Sequence, residues 1–497
     1  MNFIEEVVEA FPAARPALIE VDASGGRRVH HFGELYARSA GLSGAFAARG
    51  VRRGDVVMTL VGSRPEWVLS LLACWRMGAV ALPCNPQLRR KDLELRVRAA
   101  DPKLAVGEAR YLDELPDGIP YMDMDDLARV FDEDRPQEAP APLERLDPGD
   151  PAAIVFTSGT TGEPRGVVYP QRYLAGQRLQ AEHWFGARAG EVAWCTAAPG
   201  WSKSTRNTFI APWLGGAVAV LHDGRFDPAE RLRLCEELGV NVFCQAPTEY
   251  RMLAMRAELQ PVTSLRRLVS AGEPIEPETI RLFRERLGIP ICDGYGQTET
   301  GALAGMRPDD DDPARYGSMG RPLPGIEVRV AGDGKTAGGE AVGELQLRTS
   351  SSPTFFAHYL DGERFEGEWW PTGDLVREDE DGYLWFEGRD DDLILSSGYR
   401  IGPFEVESAL VSHPAVAEAA AVAAPDPERG SVVRAVVVLN DGHAPSEELA
   451  RELQGHVREQ TAPYKYPRVV EFAAELPKTH SGKVRRAELR AGESPSR

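Results

Sequence analysis

The sequence predicts an α/β fold: a large N-terminal domain of mainly parallel, helix-covered sheets with a small β section, followed by a small α+β C-terminal domain. Three observations carry this. Short apolar runs alternate with capped helices between residues 56 and 292, which argues for parallel strands covered by helices. From about Gly317 the texture changes to short strands and glycine turns, as in GIEVRV and GELQLR. After GRDDD, residues 388–392, comes a compact α+β tail.

The elements follow in order. Residues 56–83 read as strand, helix, strand: VVMTL, then a helix opened by Ser63 with Glu66 three residues on and closed near Gly78, then AVALP. AVAVL at 217–221 leads to Asp227, Pro228 and Glu230, a helix through Leu238, Gly239 and the strand VNVFC. RRLVSAG leads through a helix from near Glu276 to Leu287, Gly288 and IPIC. Residues 132–151 are Pro-rich and acidic, the signature of an exposed connector. In the tail, a helix follows Pro403, AVVVL is a strand, and a second helix starts near Ser446. The domain boundary falls at Asp391, dividing the chain into 1–390 and 391–497.

At 497 residues, 42% of them hydrophobic, the chain is long enough for two or more domains with ordinary cores. Its formal net charge of -19 repels nucleic acid and anionic membranes, so the expected partners are small molecules. The N-terminus lacks a basic segment followed by an apolar core, and no apolar run approaches the ~18 residues of a membrane span, which predicts a cytoplasmic protein. The six cysteines never fall into CxxC spacing and the histidines form no HExxH pair, so neither a disulfide framework nor a zinc site is expected.

The loop TSGTTGEPRG, residues 157–166, supplies what an anion site needs: glycines that let backbone N–H groups converge, hydroxyls and a cation. It does not fit the Walker pattern, and GYGQTE has Glu299 where a dinucleotide fingerprint needs its third glycine. The loop resembles the signature of the adenylate-forming (AMP-binding) enzymes, which include acyl-CoA synthetases, peptide-synthetase adenylation domains and luciferases. Six further motifs follow in that superfamily's order: SAGEP (270–274), YGQTET (295–300), TGD (372–374), GRDDD, SSGYRIGPFEVE (396–407) and PKTHSGK (477–483). APYKYPR at 462–468 is most similar to the medium-chain acyl-CoA synthetases.

The resemblance implies an ATP-dependent carboxylic acid:CoA ligase with two half-reactions. A carboxylate attacks the α-phosphate of ATP to give acyl-AMP and pyrophosphate, and the thiol of coenzyme A then displaces AMP. By the same resemblance Thr157, Ser158, Gly159, Thr160, Thr161, Gly162 and Arg165 hold the β- and γ-phosphates, Arg165 standing where many members have Lys. Thr298 and Glu299 match the phosphate-binding hydroxyl and the Mg2+ carboxylate, a reasonable ligand set for a cation that keeps phosphate oxygens and waters. Gly272, Glu273 and Pro274 match the adenine loop, Tyr295 the stacking aromatic, Asp374 the ribose acceptor and Arg389 a ribose or phosphate contact. Lys483 matches the catalytic lysine that meets both the carboxylate and the α-phosphate. An ion pair at 4 Å is worth ~1 kcal/mol in water and ~4 kcal/mol at an effective dielectric of 20, which explains placing that lysine on a domain that closes. The C-terminal domain is then mobile, turning about a hinge at Asp391. Ser397 and Gly398 line the pantetheine path, and Arg400, Arg429 and Lys465 meet the CoA phosphates.

The acyl pocket is expected around Trp201, Gly294 and Gly296. Amino-acid-activating relatives carry an Asp near Trp201, where this chain has Lys203 and Arg206. Acetate-specific relatives carry Trp at the place of Gly296, so a larger acid is expected: medium-chain, branched short-chain or aryl. Two alternatives share the motifs, an adenylating enzyme serving a carrier-protein phosphopantetheine and a non-catalytic nucleotide-binding relative.

Overall fold

The computed structural model describes all residues except 133–137, 158–163, 333–339, 390, 391, 393, 397, 398, 427–429, 463, 464, 479–483 and 491–497, and gives the backbone alone at Leu395, Tyr399, Arg400 and Gly430. Capped alternation does produce parallel sheets. One sheet has nine strands in the order Arg321–Pro322, Gly301–Gly305, Ile291–Gln297, Arg267–Ala271, Val240–Gln245, Val192–Cys195, Val218–His222, Pro16–Val21 and Arg27–His31. Its inner strands are parallel and its edges antiparallel. A seven-stranded sheet runs His358–Tyr359, Gly166–Pro170, Pro151–Phe156, Val80–Pro83, Val56–Leu60, Leu104–Gly107 and Tyr121–Met122.

The expected β section is a four-stranded antiparallel sheet of Val328–Ala331, Ala341–Arg348, Trp369–Glu378 and Leu384–Arg389. The tail contains the hairpin Ile394–Ser396 with Tyr399–Ile401, and a three-stranded sheet of Val416–Asp426, Gly430–Leu439 and Val469–Phe472. The helices Pro403–Val411 and Glu447–Gln460 accompany it, the second capped by Ser446, whose Oγ accepts from the Leu449 amide at 3.1 Å. The boundary residue Asp391 lies outside the described residues.

Local chemistry sets most of the element ends. Asp227 accepts from the Glu230 amide at 2.8 Å to start Pro228–Glu237. Gly78 and Gly288 close their helices at φ +69° and +78°, a conformation that favours glycine. Two expectations are corrected. The helix Pro65–Met77 is opened by Arg64 without a side-chain cap rather than by Ser63, with the fixed φ of Pro65 shaping its first turn. The connector is partly buried: the Ala141 amide donates to Ser43 Oγ at 3.2 Å, and Arg76 Nε donates to the Ala141 carbonyl at 3.0 Å.

One apolar core joins the two large sheets. Phe32, Trp67, Trp75, Phe209 and Trp213 lie within it, and Phe209 meets the rings of all three tryptophans. Two of these buried indoles also reach opposite sheets: Trp75 Nε1 donates to the Ala152 carbonyl at 3.1 Å and Trp213 Nε1 to the Ala17 carbonyl at 3.0 Å. Such aromatic pairs add roughly 0.5–1.5 kcal/mol each beyond their burial. This shared core fixes the sheets so that loops from both meet at one edge, where ligands bind in open α/β sheets.

At the junction with the tail, Gly402 packs against the preceding sheet so closely that a Cβ would lie 2.0 Å from the Glu387 carbonyl oxygen. Gly402→Ala should therefore lower stability by about 1–3 kcal/mol, the usual cost of overpacking. Calorimetry checks this, and an unchanged melting profile would show that the junction yields freely.

Candidate active site

Asp374 is 5% exposed and collects donors from two sheets. Tyr295 donates its hydroxyl to Oδ2, Gln297 Nε2 donates to the same oxygen at 2.8 Å, and Arg389 Nη1 donates to Oδ1 at 3.2 Å. Arg389 faces Asp374 directly across the antiparallel pairing. Gly373 takes φ +66° to turn the backbone into this position, and a Cβ there would lie 3.2 Å from Arg389 Nη2. Burial and the Asp374 charge push the Tyr295 phenol well above its ordinary value, so it remains a donor. A two-oxygen acceptor beside an aromatic ring suits a ribose and its base.

Segment 157–165 joins two strands that pair antiparallel in the seven-stranded sheet. Thr157 and Arg165 close its base, with Thr157 N donating to the Arg165 carbonyl at 2.9 Å and Arg165 N to Thr157 Oγ1 at 3.1 Å. Ser158, Gly159, Thr160, Thr161 and Gly162 lie outside the described residues. Arg165 is already engaged: Nη2 meets Asp361 and Glu363, each at 2.7 Å, and the guanidinium lies 3.6 Å from the Tyr359 ring centroid. Tyr359 in turn donates to Glu299 Oε1 at 3.0 Å. Tyr169 donates to the Thr298 carbonyl at 2.8 Å, so both residues of the expected phosphate and metal pair are tied to the other sheet.

Gly272 adopts φ +107° at the end of its strand, and Lys203 Nζ donates to the preceding carbonyl of Ala271 at 3.0 Å. Glu273 accepts from the Thr248 amide at 3.0 Å and hydroxyl at 2.6 Å, and pairs with Arg251 at 3.4 Å. Burial opposes its ionisation, but Arg251 and the Thr248 donors outweigh burial and hold the carboxyl below its ordinary value. The Glu273 side chain thus braces the loop, with its half-buried neighbour Pro274 completing the turn.

The two pocket glycines have reasons the sequence did not reveal. A Cβ on Gly294 would lie 2.5 Å from the Trp184 indole, and one on Gly296 would lie 2.0 Å from the Gly301 carbonyl oxygen. Both positions therefore exclude a side chain for reasons of packing. A cavity lies beside Lys203, Asn207, Cys195, Cys244 and Gln245, with Trp201 half-buried at its rim and its ring 5.6 Å from Lys203 Nζ.

In the tail, Lys465 forms an ion pair with Glu405. Ser397, Gly398, Arg429 and Lys483 lie outside the described residues, as does the Arg400 side chain. The backbones flanking Lys483 pair at Lys478 and Val484. Lys478 Nζ is 2.5 Å from Glu418, whose charge reaches Arg251 beside the adenine-side loop.

Residues 4–360 match the model of the AMP-binding enzyme family, and residues 405–483 match that of the AMP-binding enzyme C-terminal domain. The chain belongs to the AMP-binding enzyme family. It is 39% identical to the uncharacterized acyl–CoA ligase YtcI of Bacillus subtilis (strain 168), over 99% of this chain and 96% of that one. It is 37% identical to the mitochondrial acyl-coenzyme A synthetase ACSM3 of Mus musculus, over 99% and 90%. The crystal structure of the anthranilate CoA ligase AuaEII with anthranoyl-AMP superposes with a TM-score of 0.89 at 29% identity, covering 99% of this chain and 97% of that one. AMP-binding enzymes of this kind use ATP and coenzyme A. Among the described residues, no helix is long and apolar enough to cross a membrane.

Asp374→Ala leaves three donors without their acceptor and removes the two-oxygen seat. ATP binding followed by calorimetry should weaken at least ~tenfold, consistent with hydrogen bonds to a charged group. Unaltered affinity would remove Asp374 from the nucleotide site.

Proposed function

We propose that this chain is an AMP-forming carboxylic acid:CoA ligase that binds ATP across Asp374, Tyr295 and the Thr298–Glu299 pair. The observation that carries the reading is the convergence of three sheets on these residues: Tyr295 and Gln297 meet Asp374, while Tyr169 and Tyr359 hold Thr298 and Glu299. Asp374 takes the ribose hydroxyls in exchange for its present donors, and Tyr295 stacks on adenine beside the Gly272–Pro274 turn. Loop 157–165 cradles the β- and γ-phosphates through its amides and hydroxyls. Arg165 contributes once its carboxylate partners are outcompeted. Its pairs are solvent-facing, and such pairs are worth only about 0–1 kcal/mol each.

Two anions meet in the first half-reaction, so fixed donors and cations must stand where charge builds up. Glu299 fits a magnesium ion, because Tyr359 occupies only Oε1 and a carboxylate with phosphate oxygens and waters suits that metal. Bound there, Mg2+ would neutralise phosphate charge. Lys483 brings the carboxylate and α-phosphate together. Its place on the tail is supported by the paired backbones at Lys478 and Val484 and by the electrostatic reach of Glu418 to Arg251. The domains 1–390 and 391–497 turn relative to one another about Asp391 between half-reactions. Ser397, Gly398, Arg400, Arg429 and Lys465 then receive CoA, with Lys465 exchanging Glu405 for a phosphate.

The acid is medium-chain, branched short-chain or aryl, in keeping with the synthetase and anthranilate ligase relatives. A cytoplasmic location is supported by the six free, buried cysteines.

Pyrophosphate release measured across a panel of acids, with and without CoA, tests the activity: an acyl-CoA product is expected, and no release with any acid would defeat the ligase reading. Lys483→Ala should reduce acyl-AMP formation on the order of a hundred- to a thousand-fold while still converting supplied acyl-AMP to thioester. Equal loss in both halves would refute the assignment.

A further inference from the structure

The helical run from Ser202 to Leu214 departs from α geometry in its middle. Arg206–Ile210 is a π-helical turn, with the Ala211 amide donating to the Arg206 carbonyl five residues back. Turns of this kind frequently occur at functional sites. Arg206 opens the turn and is 5% exposed, yet its Nε and Nη1 have no hydrogen-bond partner among the described residues.

Two other buried arginines, Arg76 and Arg231, each leave one nitrogen unpartnered, whereas Arg206 leaves two. Arg251 pairs with Glu273 and Glu276, and Arg267 donates to the carbonyls of Trp184 and Met306. Arg206 has no carboxylate paired with it among the described residues. Burying a charge without a partner is costly, and a guanidinium offers a planar fork that matches a carboxylate.

The surroundings point the same way. The Arg206 charge acts on the buried phenols of Tyr169 and Tyr173. Gln180 Oε1 and both amide atoms of Gln245 are buried without partners. Gln180 Nε2 donates at 3.1 Å to Asn207, the residue after Arg206, and Asn207 and Gln245 line the cavity beside Lys203. Lys203 lines that cavity and stands one helical turn before Arg206, which lies behind the lining residue Asn207 in sequence. A purely alkyl or phenyl acid would leave these polar groups unanswered.

We propose that Arg206 receives a second carboxylate on the acyl substrate, so that the preferred acids are dicarboxylic. The inference rests on the ligase reading above and narrows its acid class. The reacting carboxylate goes to the nucleotide end, and the distal one crosses the cavity to the guanidinium, where it also satisfies the surrounding amides.

The test compares the wild type with Arg206→Met, which keeps bulk and removes charge, on matched pairs: adipate and hexanoate, suberate and octanoate, terephthalate and benzoate. Acyl-CoA formation should favour the diacid at least ~tenfold in kcat/KM in at least one pair, as expected when a buried polar site must be answered. The variant should reverse that preference with the KM for ATP unchanged. A preference for monoacids, a ratio unmoved by the substitution, or a change confined to the KM for ATP would overturn the proposal. Thermal melting without ATP gives an independent readout. Diacids but not matched monoacids should raise the wild-type Tm, and the variant should melt higher than wild type without ligand yet not respond to diacids. If no acid is turned over, the ligase reading fails, while absence of a diacid-specific Tm shift overturns this inference by itself.

Discussion

The arrangement depends on a buried carboxylate. Asp374 comes from the small antiparallel sheet, Tyr295 and Gln297 come from the nine-stranded one, and Arg389 returns across the pairing to complete the set. Removing one member of a buried charged cluster strands the others, whereas exchanging one donor for another costs little. Asp374 can therefore hold the two sheets in register and still, in the proposed role, exchange its Oδ2 donors for ribose hydroxyls. Stability and binding draw on the same oxygens, which makes the site ready before the ligand arrives.

The phosphate side is built on the same exchange, but with weaker contacts. Tyr359 bridges Arg165 and Glu299, so the cation at the loop's base and the proposed metal carboxylate are linked through one phenol. Burial and then the Glu299 charge push that phenol up, keeping it a donor. Asp361 and Glu363 are solvent-facing, so their hold on Arg165 is screened. Local strength thus rises from loop to ribose: contacts meant to change partner are exposed, and those that fix position are buried.

The parts legible in the sequence are those with local causes. Asp227 capping its helix, Gly78 and Gly288 ending theirs, and the alternating apolar runs that make the parallel sheets each depend on residues a few positions apart. The roles proposed for Asp374, Glu299 and Lys483 rest on ordered motifs and the resemblance they carry. What remained hidden depends on approach in space. Arg165 meets carboxylates nearly two hundred positions away. Ser63 was read as a cap, although Arg64 and Pro65 open that helix. At Gly296 the Gly301 carbonyl stands where a Cβ would go, and neither glycine pattern nor composition reveals so close a backbone approach.

Charge is treated differently at the two ends of the acid. At the nucleotide end the expected lysine belongs to a separate tail, so its desolvation is needed only on closure, when an anion is present to offset it. At the far end Arg206 is fixed in a buried π-helical turn, and its desolvation is a permanent cost of the folded state. A fold with only a modest margin of stability keeps such a cost where function requires it. A neutral side chain at position 206 would suit a plain hydrocarbon acid better in both stability and binding. On the proposed reading the guanidinium sets selectivity for an anionic acyl tail in the folded chain, before the acid enters.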